Sequence, residues 1–176
     1  RLQRDEQARF HTLSGLLTAQ WSDGMIHLDF PSEPPRATEP PEGLMEALGA
    51  RGVYVGKNES RFLVEFESEQ TVRDLNPDIA GLTRAGVGRV IVTARSDGDN
   101  YDFVSRFFAP GMGISEDPVT GSAHCCLAPY WRDRLGKIDL RAYQVSKRGG
   151  ELKVRVAGDR VHIYGQAVTV FEAELK

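Results

Sequence analysis

The chain has 176 residues, 40% hydrophobic and 27% charged, the balance of an ordinary globular domain. Its 22 Lys and Arg against 25 Asp and Glu give a net charge of −3, with a pI near 5.8. There is no basic tract, which argues against a nucleic-acid groove, and no run of about 18 apolar residues to mark a membrane-spanning helix.

The first residue is Arg1, and Arg1 to Arg9 is charged, without the apolar stretch of a signal peptide. The expectation is a piece of a longer protein. The only cysteines, Cys125 and Cys126, are neighbours without metal-ligand spacing. Reduced thiols, a cytoplasmic protein, and neither metal nor cofactor are expected.

Phe10 to Trp21 mixes polar and apolar residues and is interrupted at Ser14-Gly15. Asp23-Gly24 then marks a tight turn into the alternating run Met25 to Phe30, so a hairpin is predicted. His27 and Asp29 share one face of it and Ile26, Leu28 and Phe30 the other, which makes His27 a solvated strand residue. Pro31 to Pro41 holds five prolines and reads as an extended connection. Glu42 to Leu48 is a short helix stopped by Gly49.

Val53 to Val55 and Arg61 to Phe66 read as strands, with Phe62, Val64 and Phe66 opposite Arg61, Leu63 and Glu65. Short helices follow at Glu69 to Leu75 and Asp78 to Leu82. Arg89 to Ala94 is a continuous apolar run, the pattern of a strand buried on both faces. Tyr101 to Phe108 is a further strand, and its Arg106 calls for Glu116 or Asp117 as partner. Gly111 to Ser115 is a flexible approach to the next segment. A helix then runs from near Gly121 to Leu135, bent by Pro129 and closed by Gly136. Strands are predicted at Arg141 to Val145, Glu151 to Val156, Arg160 to Tyr164 and Ala167 to Leu175.

The chemistry-bearing stretch is Glu116-Asp117-Pro118-Val119-Thr120-Gly121-Ser122-Ala123-His124. Carboxylates, a proline and a turn of small residues that opens a helix are how a backbone builds an anion site. The first helical amides lack partners within the helix, and the dipole adds about half a positive charge there. Two readings stay open. Gly121, Ser122 and Ala123 leave those amides accessible to a carboxylate, or Thr120 or Ser122 merely caps the helix with its own oxygen.

EDPVTGSAH at 116–124, with RFFAP before it and LAPYW at 127–131, resembles the signature of the PhzF-like (phenazine biosynthesis protein F) isomerase family. Thr12 to Gly15, Leu28 to Pro31, Arg148 to Glu151 and Val161 to Gly165 match as well. The resemblance implies an α+β fold similar to diaminopimelate epimerase, with two lobes, each a curled antiparallel sheet around a central helix. It places the active site between the lobes, where both central helices present their N-termini.

By that resemblance, residues 1–31 are strands left from the first lobe, 32–41 the connection and 42–176 the second lobe. The implied chemistry is cofactor-independent isomerisation or epimerisation of a small carboxylate-bearing substrate by proton transfer, in a homodimer. Asp117 and Ser122 carry over as catalytic, and Thr120, Gly121, Ser122 and Ala123 as substrate-binding. The related racemases place a cysteine where Thr120 stands, so thiol catalysis is not expected. The family's catalytic glutamate and Gly-His-Ala-Thr segment belong to the first lobe, and no Gly-His-Ala-Thr occurs here. The chain alone is therefore expected to be inactive. The alternative is a non-catalytic module of the same fold that binds a small anion or a protein.

Overall fold

The computed structural model describes residues 6–13 and 15–174. Arg1 to Asp5, Ser14, Leu175 and Lys176 lie outside the described residues, and with them part of the expected N-terminal tail and of the last expected strand. The strands are β1 Ala8–Thr12, β2 Gly15–Ser22, β3 Met25–Pro31, β4 Arg36–Ala37, β5 Tyr54–Lys57, β6 Phe62–Glu65, β7 Val90–Arg95, β8 Phe103–Ala109, β9 Ile114–Asp117, β10 Asp139–Gln144, β11 Gly150–Ala157 and β12 Arg160–Gly165. The helices are α1 Leu44–Leu48, α2 Glu69–Asp74, α3 Ile79–Arg84 and α4 His124–Leu135, with single 3-10 turns at Pro110–Met112 and Gly121–Ala123.

The strands form one sheet in the order β1-β2-β3-β12-β11-β10-β8-β7-β6-β5-β4, with β9 added on β8, and it does not close into a barrel. An antiparallel sheet was expected, but this one is mixed. β6 runs parallel to β7, and β8 to β10. Both exceptions follow from connectivity. Helices α2 and α3 carry the chain from β6 to β7 and α4 carries it to β10, and a helical crossover returns the chain in the same direction. The β2–β3 hairpin turns at Asp23 (φ 49°) and Gly24 (φ 79°), the pair of left-handed residues that a two-residue turn needs.

Alternation along the strands sorts the core into two layers. Leu63, Ile91, Phe103, Phe107, Leu140, Ala142, Leu152 and Val154 face α4. Val64, Val92, Val104 and Phe108 face α1–α3 on the opposite side. This is why the run beginning at Val90 reads as continuously apolar. β3 pairs with β12 over six residues, Ile26 to Pro31, and its Leu28 and Phe30 pack on the α4 layer. His27 is half-buried rather than solvated, stacked on Tyr164 and hydrogen-bonded to His162 at 3.0 Å.

Every residue of α4 from His124 to Trp131 is buried, so this helix has no solvent face until Arg132. The helix continues through Pro129. The missing Pro129 N–H frees the Cys125 carbonyl, which accepts the backbone N–H of Glu33 at 2.9 Å.

Two further sequence expectations fail. Gly111 to Ser115 is not a loose approach: β9 begins at Ile114 and pairs with β8, so Glu116 and Asp117 sit in a strand. The described part of Ala167 to Leu175 forms no strand, because no neighbouring strand pairs with it, and Val168, Val170 and Phe171 stand exposed.

Candidate functional site

The motif is held from both sides. Arg106 on β8 grips Glu116 on β9 with two bonds, 2.7 Å from Nε and 3.0 Å from Nη2. Its Nη1 also donates to the Leu75 carbonyl at 2.6 Å. Of the two candidate carboxylates, Glu116 is thus the partner of Arg106, which leaves Asp117 for other contacts. Val119 lies so close to Gly150 that a Cβ there would collide with its methyl groups, so glycine is required at that approach.

Thr120 is the hub. Its N–H donates to Gln144 Oε1 at 2.7 Å, its hydroxyl donates to Asp117 Oδ2 at 2.7 Å, and its carbonyl accepts from His124 Nδ1 at 2.9 Å. Gln144 Nε2 donates in turn to the Asp117 carbonyl at 2.7 Å. The Asp117 carboxylate is thereby oriented by a neighbour whose own polar atoms are all engaged.

The hydroxyls of Thr120 and Ser122 do not cap the helix. The Thr120 hydroxyl is turned to Asp117, and Ser122 Oγ accepts from Arg61 Nη1 at 3.3 Å. Among the described residues, the amides of Gly121 and Ser122 donate no hydrogen bond. Ser122 is exposed, and a Cβ on Gly121 would find its nearest neighbour, Leu28 Cδ1, only at 3.8 Å. The turn is therefore open. Thr120 (7% exposed) and Ala123 (1%), expected at the substrate, are buried. A cavity of about 1110 Å³ adjoins Val119, yet neither Asp117 nor Ser122 lines it.

Behind the motif a row of polar side chains crosses the core under α4. Thr93, Ser105 and Gln144 are in register on β7, β8 and β10. Thr93 Oγ1 accepts from Trp131 Nε1 at 3.0 Å, and Gln144 holds Thr120. Ser105 Oγ and His124 Nε2 are buried without a partner among the described residues. Burial lowers the His124 pKa to about 4, so its ring is neutral at pH 7 with its Nδ1 proton on the Thr120 carbonyl. Burial pushes both thiols, Cys125 and Cys126, up to about 12, which removes the thiolate a nucleophile needs. Among the described residues, no three His, Cys, Asp or Glu side chains cluster as metal ligands, and no helix is long and apolar enough to cross a membrane.

Three of these residues escaped sequence reading. Arg61 lies 61 residues before Ser122, and nothing in its spacing announces the contact. Gln144 left a trace, since alternation from Leu140 and Ala142 places it on the inward face. His124 ends the signature but looks like any first-turn residue.

Mixed sheet, buried central helix and open helix start define an α+β fold of the diaminopimelate epimerase type. The family model of phenazine biosynthesis-like proteins (PhzC-PhzF) matches residues 4–173, and the chain belongs to that family. It is 48% identical over 172 residues to an uncharacterized isomerase of Halalkalibacterium halodurans, covering 97% of this chain and 65% of the relative. The crystal structure of a PhzF-family phenazine biosynthesis protein from Enterococcus faecalis superposes with a TM-score of 0.84 at 38% identity, over 92% of this chain and 61% of that one. A predicted epimerase from Pseudomonas aeruginosa shares the fold, with a TM-score of 0.62 at 16% identity, over 96% of this chain and 68% of that one. The chain thus spans about two thirds of the length of the curated relatives it matches.

Proposed function

We propose that the chain is the carboxylate-gripping part of a cofactor-independent isomerase or epimerase that acts by proton transfer. The observation that carries this reading is the pair of open amides at Gly121 and Ser122 beside the oriented carboxylate of Asp117. Removing a proton next to a carboxylate or carbonyl builds negative charge, and fixed donors at a helix start stabilise it. The proton passes to a base and returns to the same or another carbon, with no net oxidation. In this reading the Ser122 hydroxyl and the two amides hold the substrate carboxylate, and Asp117 holds or relays the proton. The base is a glutamate in the third of the relatives that this chain does not span, and the working unit is a cytoplasmic homodimer.

The test is exchange of a carbon-bound proton with solvent. The chain is fused to the uncovered third of the Halalkalibacterium halodurans relative and incubated in D2O with amino acids and cyclohexadiene carboxylates. Deuterium should enter the substrate only with the fusion, and the chain alone should be silent. Exchange by the chain alone would show that its own residues include the base and would refute the division of labour.

A further inference from the structure

Arg61 precedes β6 and is 7% exposed, a nearly buried charge. Its Nε donates to Ser60 Oγ at 2.9 Å, its Nη1 to Ser122 Oγ at 3.3 Å and its Nη2 to Glu33 Oε2 at 3.3 Å. Its one carboxylate contact among the described residues is therefore long and single. The Arg106–Glu116 pair, by contrast, makes two bonds, the longer at 3.0 Å. Glu33 keeps a third of its side chain in solvent. A buried guanidinium normally demands fuller compensation. The other partners of Arg61 are neutral, two hydroxyls and the Phe107 ring 6.0 Å away, so its charge is only partly neutralised beside the open turn.

The sequence fixes this arrangement through Pro129. Its missing N–H frees the Cys125 carbonyl, the Glu33 amide docks there, and the Glu33 carboxylate is carried to Arg61. Asn58 Nδ2 holds the Glu33 carbonyl from the other side at 3.2 Å. Because Ser122 Oγ accepts from Arg61, the Ser122 proton must point away from the guanidinium. An exposed hydroxyl with its proton turned outward is a donor ready for an anion.

We infer that Arg61 is a positioning residue of the carboxylate site: it turns Ser122 into a donor and supplies charge that Glu33 partly cancels. Arg61 and Glu33 therefore set the anion affinity in opposite directions. This inference rests on the reading that Ser122 and the neighbouring amides take a carboxylate. With Glu33 and Asp117 both near the turn, the preferred ligand class is a monocarboxylate rather than a dianion.

The test is titration of the full chain with sodium benzoate, followed by the Ser122 amide resonance, with inorganic phosphate as the dianion comparison. Wild type should bind benzoate more tightly than phosphate. Arg61→Met should raise the benzoate Kd about tenfold or more, because the Ser122 proton is no longer held outward and a nearby positive charge is gone. Arg61→Lys keeps the charge but not the fork and should fall between. Glu33→Gln, which keeps an acceptor for Arg61, should lower Kd about threefold. A merely structural Arg61 would move both partners' variants toward weaker binding, and that outcome overturns the inference even if Arg61→Met fails to fold. Ser122→Ala separates the two levels. If it leaves benzoate binding unchanged, or wild type binds none, the site reading itself fails. If it weakens binding while Glu33→Gln does not tighten it, only the role of Arg61 fails.

Discussion

Asp117→Asn in the complete protein should cut turnover by about 10²- to 10⁴-fold, the usual contribution of a positioned proton-transfer group, and leave the unfolding midpoint within a few degrees. The geometry separates the two effects. Asp117 Oδ2 accepts from the Thr120 hydroxyl at 2.7 Å, and an asparagine oxygen accepts the same bond. The Asp117 carbonyl, which takes the Gln144 amide, is untouched by the substitution. Only the negative charge and the capacity to hold a proton are lost. The deuterium-exchange assay reads the first effect and a thermal melt the second. Turnover within threefold of wild type would remove Asp117 from the chemistry, and absence of turnover in wild type as well would favour the non-catalytic anion-binding module. A collapse of stability would instead make it a structural residue.

The second large effect is on stability in acid. His124 has no exposed surface, and burial lowers its pKa from 6.5 to about 4. The unfolded chain takes up this proton near pH 6.5, while the folded chain refuses it until near pH 4. Between those values the unfolded state binds more protons, so stability is full above pH 6.5 and falls as pH drops toward 4. At 1.36 kcal/mol per pH unit the loss amounts to about 3 kcal/mol. His27, lowered first by burial and then by the nearby His162, acts in the same sense. Urea unfolding at pH 7 and pH 4.5 for wild type and His124→Asn measures the His124 part. The asparagine amide replaces the Nδ1 donor to Thr120 but does not titrate. The variant should lose most of the acid sensitivity, and an unchanged pH slope would show that His124 carries none of it. The consequence reaches the site, because His124 holds Thr120 and Thr120 holds Asp117.

Much of this was legible in the residues, for identifiable reasons. Local signals placed most elements: Asp23-Gly24 the hairpin, Gly49 and Gly136 the helix ends, and the unbroken run from Val90 the doubly buried strand. The need of a buried arginine for a carboxylate pointed Arg106 to Glu116 or Asp117, and the folded sheet decides for Glu116. What failed depended on partners distant in sequence. Gly111 to Ser115 looked like a flexible approach because the strand that begins at Ile114 owes its character to pairing with β8, not to its own composition. Val168 to Phe171 has a strand's composition but no strand to pair with among the described residues. The helix start offered either an anion site or a plain cap, and only the fold, which turns the Thr120 hydroxyl to Asp117, removes the cap. Arg61 was invisible because only the folded sheet brings it to Ser122. Pro129 suggested a bend, and its spacing gave no sign that it also releases a carbonyl that fixes Glu33.

Gly121 and Ser122 carry the central claim, and a crystal structure of the protein soaked with a small monocarboxylate such as anthranilate tests it most directly. The account requires carboxylate oxygens about 2.7–3.1 Å from the amide nitrogens of Gly121 and Ser122, with the Ser122 hydroxyl donating to the same group. A carboxylate bound elsewhere, with those two amides facing only water or a side chain of the protein itself, would contradict it.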